Sequence, residues 1–372
     1  MLYLIVMAKI LFISNSDSAL YVFRKELLQS LLDEGNQLVV VASFDKYRTE
    51  LESMGCVLHN VKTDRRGMNP LKDYSLYRSY VKALKEHAPD IVLTYTIKSN
   101  IYGGMAAKKL NFPYYANITG LGTGFKKGLV RRIVITLYRR AFKKVSKVFF
   151  QNQSNMQVFL ENRIIKEEKA IMLAGSGVNL EKYSFTVLED NPITKFLFVG
   201  RIMREKGVDE FLYSATHAKE EGLPAQFEIL GSFEEDYRSI LEKMQVDGII
   251  HHHEYQKDVT PIVLKSHCVV LPSYHEGMSN TLLEGGAMGR PLIASDIPGC
   301  REAILDGKNG FTVKKSDKED LYQKIKEFCE LDFEKKQAMG KASRMHIEEN
   351  FDRQTVVADI KKSLSEIAGE KQ

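Results

Sequence analysis

Short apolar runs alternate with longer stretches in which apolar residues recur every three to four positions, and this alternation occurs twice along the chain. In the first half the strand candidates are residues 9–14, 37–42, 91–95, 113–118 and 147–151, separated by helical stretches such as 21–34 and 74–87. In the second half they are residues 195–200, 226–230, 249–253, 268–272, 291–295 and 310–313. Continuous apolar runs fit strands buried on both faces, and their alternation with helices is the pattern of parallel α/β sheets. After Gly207, for example, Val208, Phe211, Leu212, Ala215 and Ala218 mark one face of a helix as core. The expected architecture is therefore two doubly wound, Rossmann-like α/β domains facing a central cleft, with any ligand at the carboxyl ends of the strands. The domains are placed at 1–180 and 181–354, joined around 175–183. Residues 355–372 hold a last helix expected to pack back on the N-terminal domain.

The chain's 372 residues can fill two such cores. Cys56, Cys268, Cys300 and Cys329 lie far apart with no C-x-x-C pair, which argues against a disulfide scaffold and a thiolate zinc site, and for a reducing cytoplasm. The longest apolar run, residues 1–8, is short of the roughly 20 needed to span a bilayer. That beginning lacks a basic n-region and a cleavage site, so no signal peptide is expected; Met7 is an alternative start, with residues 1–6 a leader.

Charge divides the chain more sharply than its total of +5 suggests. Residues 1–185 carry 28 Lys and Arg against 15 Asp and Glu, whereas residues 186–372 carry 25 against 33. No acidic residue occurs from 91 to 160. The first half should therefore attract an anionic partner.

Two stretches that follow strand candidates have the residue types to hold a phosphorylated sugar. In Gly200-Arg201-Ile202-Met203-Arg204-Glu205-Lys206-Gly207, glycine permits close approach of a phosphate, a helix start offers N–H groups, and Arg201 and Lys206 can contact a diphosphate. A charged surface turn fits the same spacing. In Ser273-Tyr274-His275-Glu276-Gly277-Met278-Ser279-Asn280-Thr281-Leu282-Leu283-Glu284, two carboxylates eight residues apart can accept hydrogen bonds from sugar hydroxyls. The amides of Met278 and Ser279 can reach the same ligand past Gly277, although two solvated glutamates also fit. Gly285 and Gly286 cost the following helix roughly 1 kcal/mol each relative to alanine, which implies close approach of another backbone or a ligand.

Together, G-R-I-x3-K-G, H-E-G-M-S-N-T-L-L-E and G-R-P-L-I-A-S-D-I-P-G-C-R-E-A-I resemble the donor-binding half of a family 4 glycosyltransferase with the GT-B fold. The resemblance extends more loosely to the first half through N-I-T-G-L-G and the linker-like G-S-G-V-N, and is closest to bacterial enzymes that extend lipid-diphosphate-linked glycans of capsule, O-antigen and protein N-glycosylation. It implies a retaining transfer of a hexose or N-acetylhexosamine from a nucleotide sugar, UDP by resemblance, to a polyprenyl-diphosphate-linked saccharide, with no cofactor and no bound metal. Arg201 and Lys206 would hold the diphosphate and, with Glu276, form the catalytic set. Gly200, Gly277, Met278, Ser279 and Asn280 would complete the donor site, Glu276 and the neighbouring amides binding the sugar and Glu284 the ribose hydroxyls. The chain departs from the family in its first βα loop, which reads Ser14-Asn15-Ser16-Asp17-Ser18-Ala19 instead of carrying a glycine pair. Thr119 also stands where many members have histidine, so no histidine-based role carries over.

Acceptor contacts are expected from Lys98, Asn100, Thr119 and Gly120, although an ordinary polar loop fits residues 98–100 equally well. The basic stretch 126–147 reads as an amphipathic helix. Its stripe Val130, Ile133, Val134, Leu137, Ala141, Val145 and Val148 reads as core, and Arg132, Arg139, Arg140, Lys143 and Lys147 could meet an anionic membrane. The enzyme would then be cytoplasmic and peripheral to the inner face of the cell membrane.

Other readings are an epimerase on the same fold or a non-catalytic anion or nucleic-acid binder. Nucleic acid is not the expected partner, because the basic stretch lacks a known binding motif and the other half is acidic. His251, His252 and His253 alternate faces on a strand and make a poor chelate. Gly120-x-Gly122-x-Gly124 lacks the last glycine of a dinucleotide fingerprint, and no acidic residue follows before Glu161, so a dehydrogenase is not expected.

Overall fold

The computed structural model describes residues 7–63, 69–122, 125 and 128–369, with the side chains of 366–369 excepted. The leader 1–6, Gly124, Lys126 and Lys127 lie outside them. The chain forms two units: Met1–Ser176 with Gln354–Gln372, and Gly177–Arg353.

In the first unit the described strands are β1 (Lys9–Ile13), β2 (Gln37–Ala42), β3 (Val57–Asn60), β4 (Ile91–Tyr95), β5 (Tyr114–Ile118), β6 (Lys147–Phe150) and β7 (Ala170–Met172). They build one parallel sheet in the order β3-β2-β1-β4-β5-β6-β7. Its helices are α1 (Asp17–Asp33), α2 (Arg48–Ser53), α3 (Pro70–His87), α4 (Gly104–Leu110), α5 (Leu129–Ala141) and α6 (Gln153–Glu161). Alternation along the strands creates two separate cores. Leu11, Ile13, Val39 and Val41 face the core shared with α3 to α6, while Ile10, Phe12, Leu38 and Val40 face the one shared with α1.

The second unit has β8 (Thr194–Val199), β9 (Ala225–Leu230), β10 (His251–His253), β11 (Cys268–Leu271), β12 (Leu292–Ser295) and β13 (Gly310–Val313), all parallel in the order β10-β9-β8-β11-β12-β13. Its helices are α7 (Val208–Glu220), α8 (Arg238–Val246), α9 (Thr260–Val263), α10 (Asn280–Ala287), α11 (Lys318–Glu330) and α12 (Phe333–Phe351). The last helix, α13 (Arg353–Gly369), returns to the first unit. There Val356, Val357, Ile360 and Leu364 join the core under α1, Tyr115 donates to the Ser363 carbonyl at 2.8 Å, and Lys361 meets Glu34 at 2.5 Å.

Two strands, β3 and β7, fall outside the expected set. Both are outermost in their sheet, short and only partly buried; β3 mixes polar with apolar residues, whereas β7 lies in the short apolar run 170–174, which was not assigned as a strand. The basic stretch departs further. Its helix stops at Ala141, Phe142–Lys144 is a single tight turn, and Lys147 and Val148 belong to β6. The core face is Ile135, Tyr138 and Ala141, while Leu129, Val130 and Ile133 are exposed. Val145 and Val148 are buried as expected, but beyond the helix. An apolar run of mixed turn and strand mimicked helical spacing here.

Candidate functional site

In each sheet the chain reverses its direction of strand addition at the central strand, and loops leaving the carboxyl ends there are natural ligand sites. In the second unit those are the loops after β8 and β11, which carry the two motifs. Gly207, at φ +80° between the turn Arg204–Lys206 and α7, is fixed by the fold: a Cβ there would run into the Pro272 carbonyl of the β11 loop. The two loops are also bonded directly, with the Tyr274 amide donating to the Glu205 carbonyl at 2.9 Å. Behind them Gly299, at φ +88°, lies so close that a Cβ would come within 2.8 Å of Glu276 Cβ.

This packing brings Lys206 and Glu276 together, Nζ donating to Oε1 at 2.5 Å, with both side chains mostly buried. Arg201 remains exposed and lies 3.5 Å from Glu234 Oε2. The pair has one cation and one anion in a shielded place, with a second cation on the same β8 loop. Such a site can accept a diphosphate on its lysine and hydroxyls on its carboxylate. The Ser279 amide, expected at the ligand, instead donates to the Gly299 carbonyl at 2.8 Å, and its hydroxyl caps α10 by accepting from the Leu282 amide at 3.3 Å. Met278 is buried and Asn280 opens α10.

Glu284 occupies a different setting, one turn into α10. Burial pushes its carboxyl up to about 7, opposed by a hydrogen bond from Tyr183 and by the charges of Lys182 and Arg353, and reinforced by Asp258. The sequence carried no sign of these neighbours, which come from the start and end of the unit and from the loop after β10. Gly285 and Gly286 answer to packing by side chains, not to a backbone or a ligand: a Cβ would lie 2.8 Å from Val269 Cγ2 and 2.7 Å from Ile347 Cγ1 respectively. The histidine run is the edge strand β10, in which His253 bonds Glu228 at 2.7 Å.

In the first unit Lys98 follows the end of β4 and pairs with Asp73 of α3 at 2.7 Å; Tyr102 donates to the other oxygen of Asp73 at 2.9 Å. Asn100 is buried and its amide is consumed, accepting from the Thr94 hydroxyl at 2.7 Å and donating to the Asn117 carbonyl at 2.9 Å. It therefore braces the carboxyl ends of β4 and β5 and does not point outward as an acceptor contact would. Thr119 is exposed beside Gly120, just past β5. Thr96, β-branched yet at φ +75°, shows that the turn after β4 is held in strain by its surroundings.

Asp17 is the residue the sequence concealed. It is fully buried, and its carboxylate accepts from the successive amides of Asp45, Lys46 and Tyr47 at 2.8–2.9 Å and from Ser18 at 2.6 Å. Burial alone would raise its pKa, but these amide bonds outweigh it and hold the carboxyl below the usual value. It ties the loop after β1 to the loop after β2.

Two family models together cover most of the chain: Glycosyl transferase 4-like over residues 9–152 and Glycosyl transferases group 1 over residues 193–330. The chain is 30% identical over 332 residues to the N,N'-diacetylbacillosaminyl-diphospho-undecaprenol alpha-1,3-N-acetylgalactosaminyltransferase of Campylobacter jejuni, covering 84% of this chain and 87% of that enzyme. It is 26% identical over 276 residues to the Escherichia coli UDP-Gal:alpha-D-GlcNAc-diphosphoundecaprenol alpha-1,3-galactosyltransferase, covering 69% and 70%. Anabaena Alr3699/HepE, solved in complex with UDP and glucose, superposes with a TM-score of 0.79 at 17% identity over 96% of this chain and all of that one. The chain belongs to the family 4 glycosyltransferases and has their GT-B fold. It is therefore a glycosyltransferase.

Proposed function

We propose that this enzyme transfers a hexose or N-acetylhexosamine, with retention, from a UDP-linked sugar to a polyprenyl-diphosphate-linked saccharide during surface polysaccharide or glycan assembly. The carrying observation is the relatedness, over five-sixths of the chain, to an enzyme named for a lipid-diphosphate acceptor. The UDP bound in the Anabaena neighbour and the UDP-Gal named for the Escherichia coli relative support the donor. In this reading Lys206 turns from Glu276 toward the incoming diphosphate and Arg201 joins it. Glu276, with the Gly277 and Met278 backbone, holds the sugar, Glu284 holds the ribose hydroxyls, and Gly200 and Asn280 line the donor. Ser279 shapes that loop through its bond to Gly299.

The bond between the anomeric carbon and the diphosphate oxygen breaks with its electron pair passing to phosphate, whose charge Arg201 and Lys206 offset; removing one such donor costs about 10²–10³ in rate. The acceptor hydroxyl bonds to the same face of the anomeric carbon, and the departing phosphate oxygen takes its proton. This balance needs neither protein base nor metal. Thr119, Gly120 and Lys98 lie on first-unit loops suited to the acceptor. Exposed Leu129, Val130 and Ile133 beside Arg132, Arg139 and Arg140 suit α5 to an anionic membrane surface, which would make the protein cytoplasmic and peripheral. No helix among the described residues is long and apolar enough to cross a membrane.

The test is a panel of nucleotide sugars offered with a lipid-diphosphate-linked mono- or disaccharide, following nucleotide release and product mass, with Glu284→Ala as control. Retention of activity in that variant would refute the donor-site assignment, and an inverted anomeric centre in the product NMR spectrum would refute the same-face mechanism. An epimerase would yield no acceptor-linked product.

A further inference from the structure

A second group of chemically active side chains lies in the first unit, away from every loop described above. His59 is the third residue of the edge strand β3, and Glu86 and His87 end α3. His59 Nδ1 stands 3.1 Å from His87 Nε2, and Glu86 Oε1 lies 3.8 Å from the first and 4.0 Å from the second. Among the described residues this is the group of three or more His, Cys, Asp or Glu whose ligand atoms all fall within 4.8 Å of one another.

A tetrahedral metal with bonds of about 2.0–2.1 Å separates neighbouring ligand atoms by about 3.3 Å. The two imidazole nitrogens already have nearly that spacing, at 3.1 Å. The rings are fixed, their side chains only 18% and 16% exposed, whereas Glu86 at 53% is free to swing inward by the fraction of an ångström required. A single N–H···N bond could also account for the close nitrogens, but it would not need the carboxylate placed equally near both. The carbonyl end of α3 favours a cation there, against the nearby positive charge of Lys9.

We propose that His59, Glu86 and His87 bind one divalent transition-metal ion, best matched by Zn²⁺, with solvent completing the shell. Two imidazoles and one carboxylate suit zinc over magnesium or calcium, which favour all-oxygen sites. The ion would clamp edge strand β3 to the last turn of α3, the helix whose first turn carries Asp73, the partner of Lys98. The clamp concerns the fold of the first unit and is independent of the proposed reaction.

Metal-stripped full-length protein, dialysed to equilibrium against Zn²⁺ or Mg²⁺ at neutral pH, should take up one Zn²⁺ per chain and no Mg²⁺, and Zn²⁺ should raise its melting temperature. Loss of a group that merely orients a ligand costs about 10–100-fold in affinity, so His59→Ala and His87→Ala should each weaken Zn²⁺ binding by at least that factor. Because buried histidines can matter for folding, Glu86→Gln provides the independent arm, changing an exposed side chain; it too should weaken Zn²⁺ at least several-fold. Absence of stoichiometric zinc, unchanged affinity in Glu86→Gln, or loss of zinc on His251→Ala/His253→Ala with retention in the His59 and His87 variants would each overturn the proposal.

Discussion

Replacing Glu284 by glutamine should stabilise the protein and weaken its donor binding together. Burial lifts this carboxyl from its ordinary 4.5 to about 7, so between those values the folded state binds more protons than the unfolded one and stability falls as pH rises. At about 1.4 kcal/mol per tenfold change, full ionisation costs the fold at most about 3 kcal/mol. Side-chain relaxation and the glutamine amide's own desolvation reduce the expected gain to about 1–2 kcal/mol at pH 8, with none at pH 4. For a unit the size of Gly177–Arg353 that is roughly 2–8 °C in melting temperature. Tyr183 still has an oxygen to donate to in the variant. Scanning calorimetry of both proteins from pH 4 to pH 8.5 should show their difference opening from about pH 4.5 and levelling off above about pH 7, while UDP raises the wild-type transition more than the variant's. A pH-independent difference, or a variant less stable at pH 8, would refute the claim that an ionisation penalty is stored at this site.

Lys206→Ala should lower kcat/KM by about 10²–10³, measured as initial rates of nucleotide release, because it removes a cation from the departing diphosphate; a loss below threefold would place Lys206 outside the reaction. Asp17→Asn should destabilise the first unit by about 2–4 kcal/mol in urea at pH 7, through loss of charge-assisted bonds to three consecutive amides. Since the wild-type carboxyl titrates below its ordinary 3.8, that difference should persist above pH 4 and shrink as the carboxylate is protonated at lower pH. Arg132→Ser/Arg140→Ser should weaken binding to anionic vesicles roughly 30-fold, at about 1 kcal/mol per cation near the surface, and high salt should have the same effect on the wild type. Equal binding to neutral vesicles would refute the electrostatic part of that reading.

How much could be read from the chain depended on whether a signal was local. The strands β1, β2, β4, β5, β8, β11 and β12 are buried along nearly their whole length, and their apolar runs announced them. Of the edge strands, β10 and β13 were expected, whereas β3, with its mixed polarity, and β7, despite the short apolar run 170–174, were not. In the basic stretch the apolar spacing of the helix ran on through a turn into the strand expected at 147–151, so the helix was expected to continue past its end at Ala141. The two glycines after Glu284 were visible as a cost, but only packing against Val269 and Ile347 explains them. Asn100 looked like an outward polar residue, yet its amide braces two strand ends.

The sequence by itself determined the α/β class, the twofold repetition of the strand–helix pattern, the family and the two motifs proposed to carry the donor chemistry, because each rests on residues adjacent in the chain or one helical turn apart. Tertiary structure decided which of those residues meet. Lys206 and Glu276 are seventy residues apart, Glu284 and Tyr183 about a hundred, and His59 and His87 twenty-eight. Their proximity follows from strand order and loop closure in a parallel sheet. The raised carboxyl of Glu284 follows from burial, and neither strand order nor burial is encoded by any one segment.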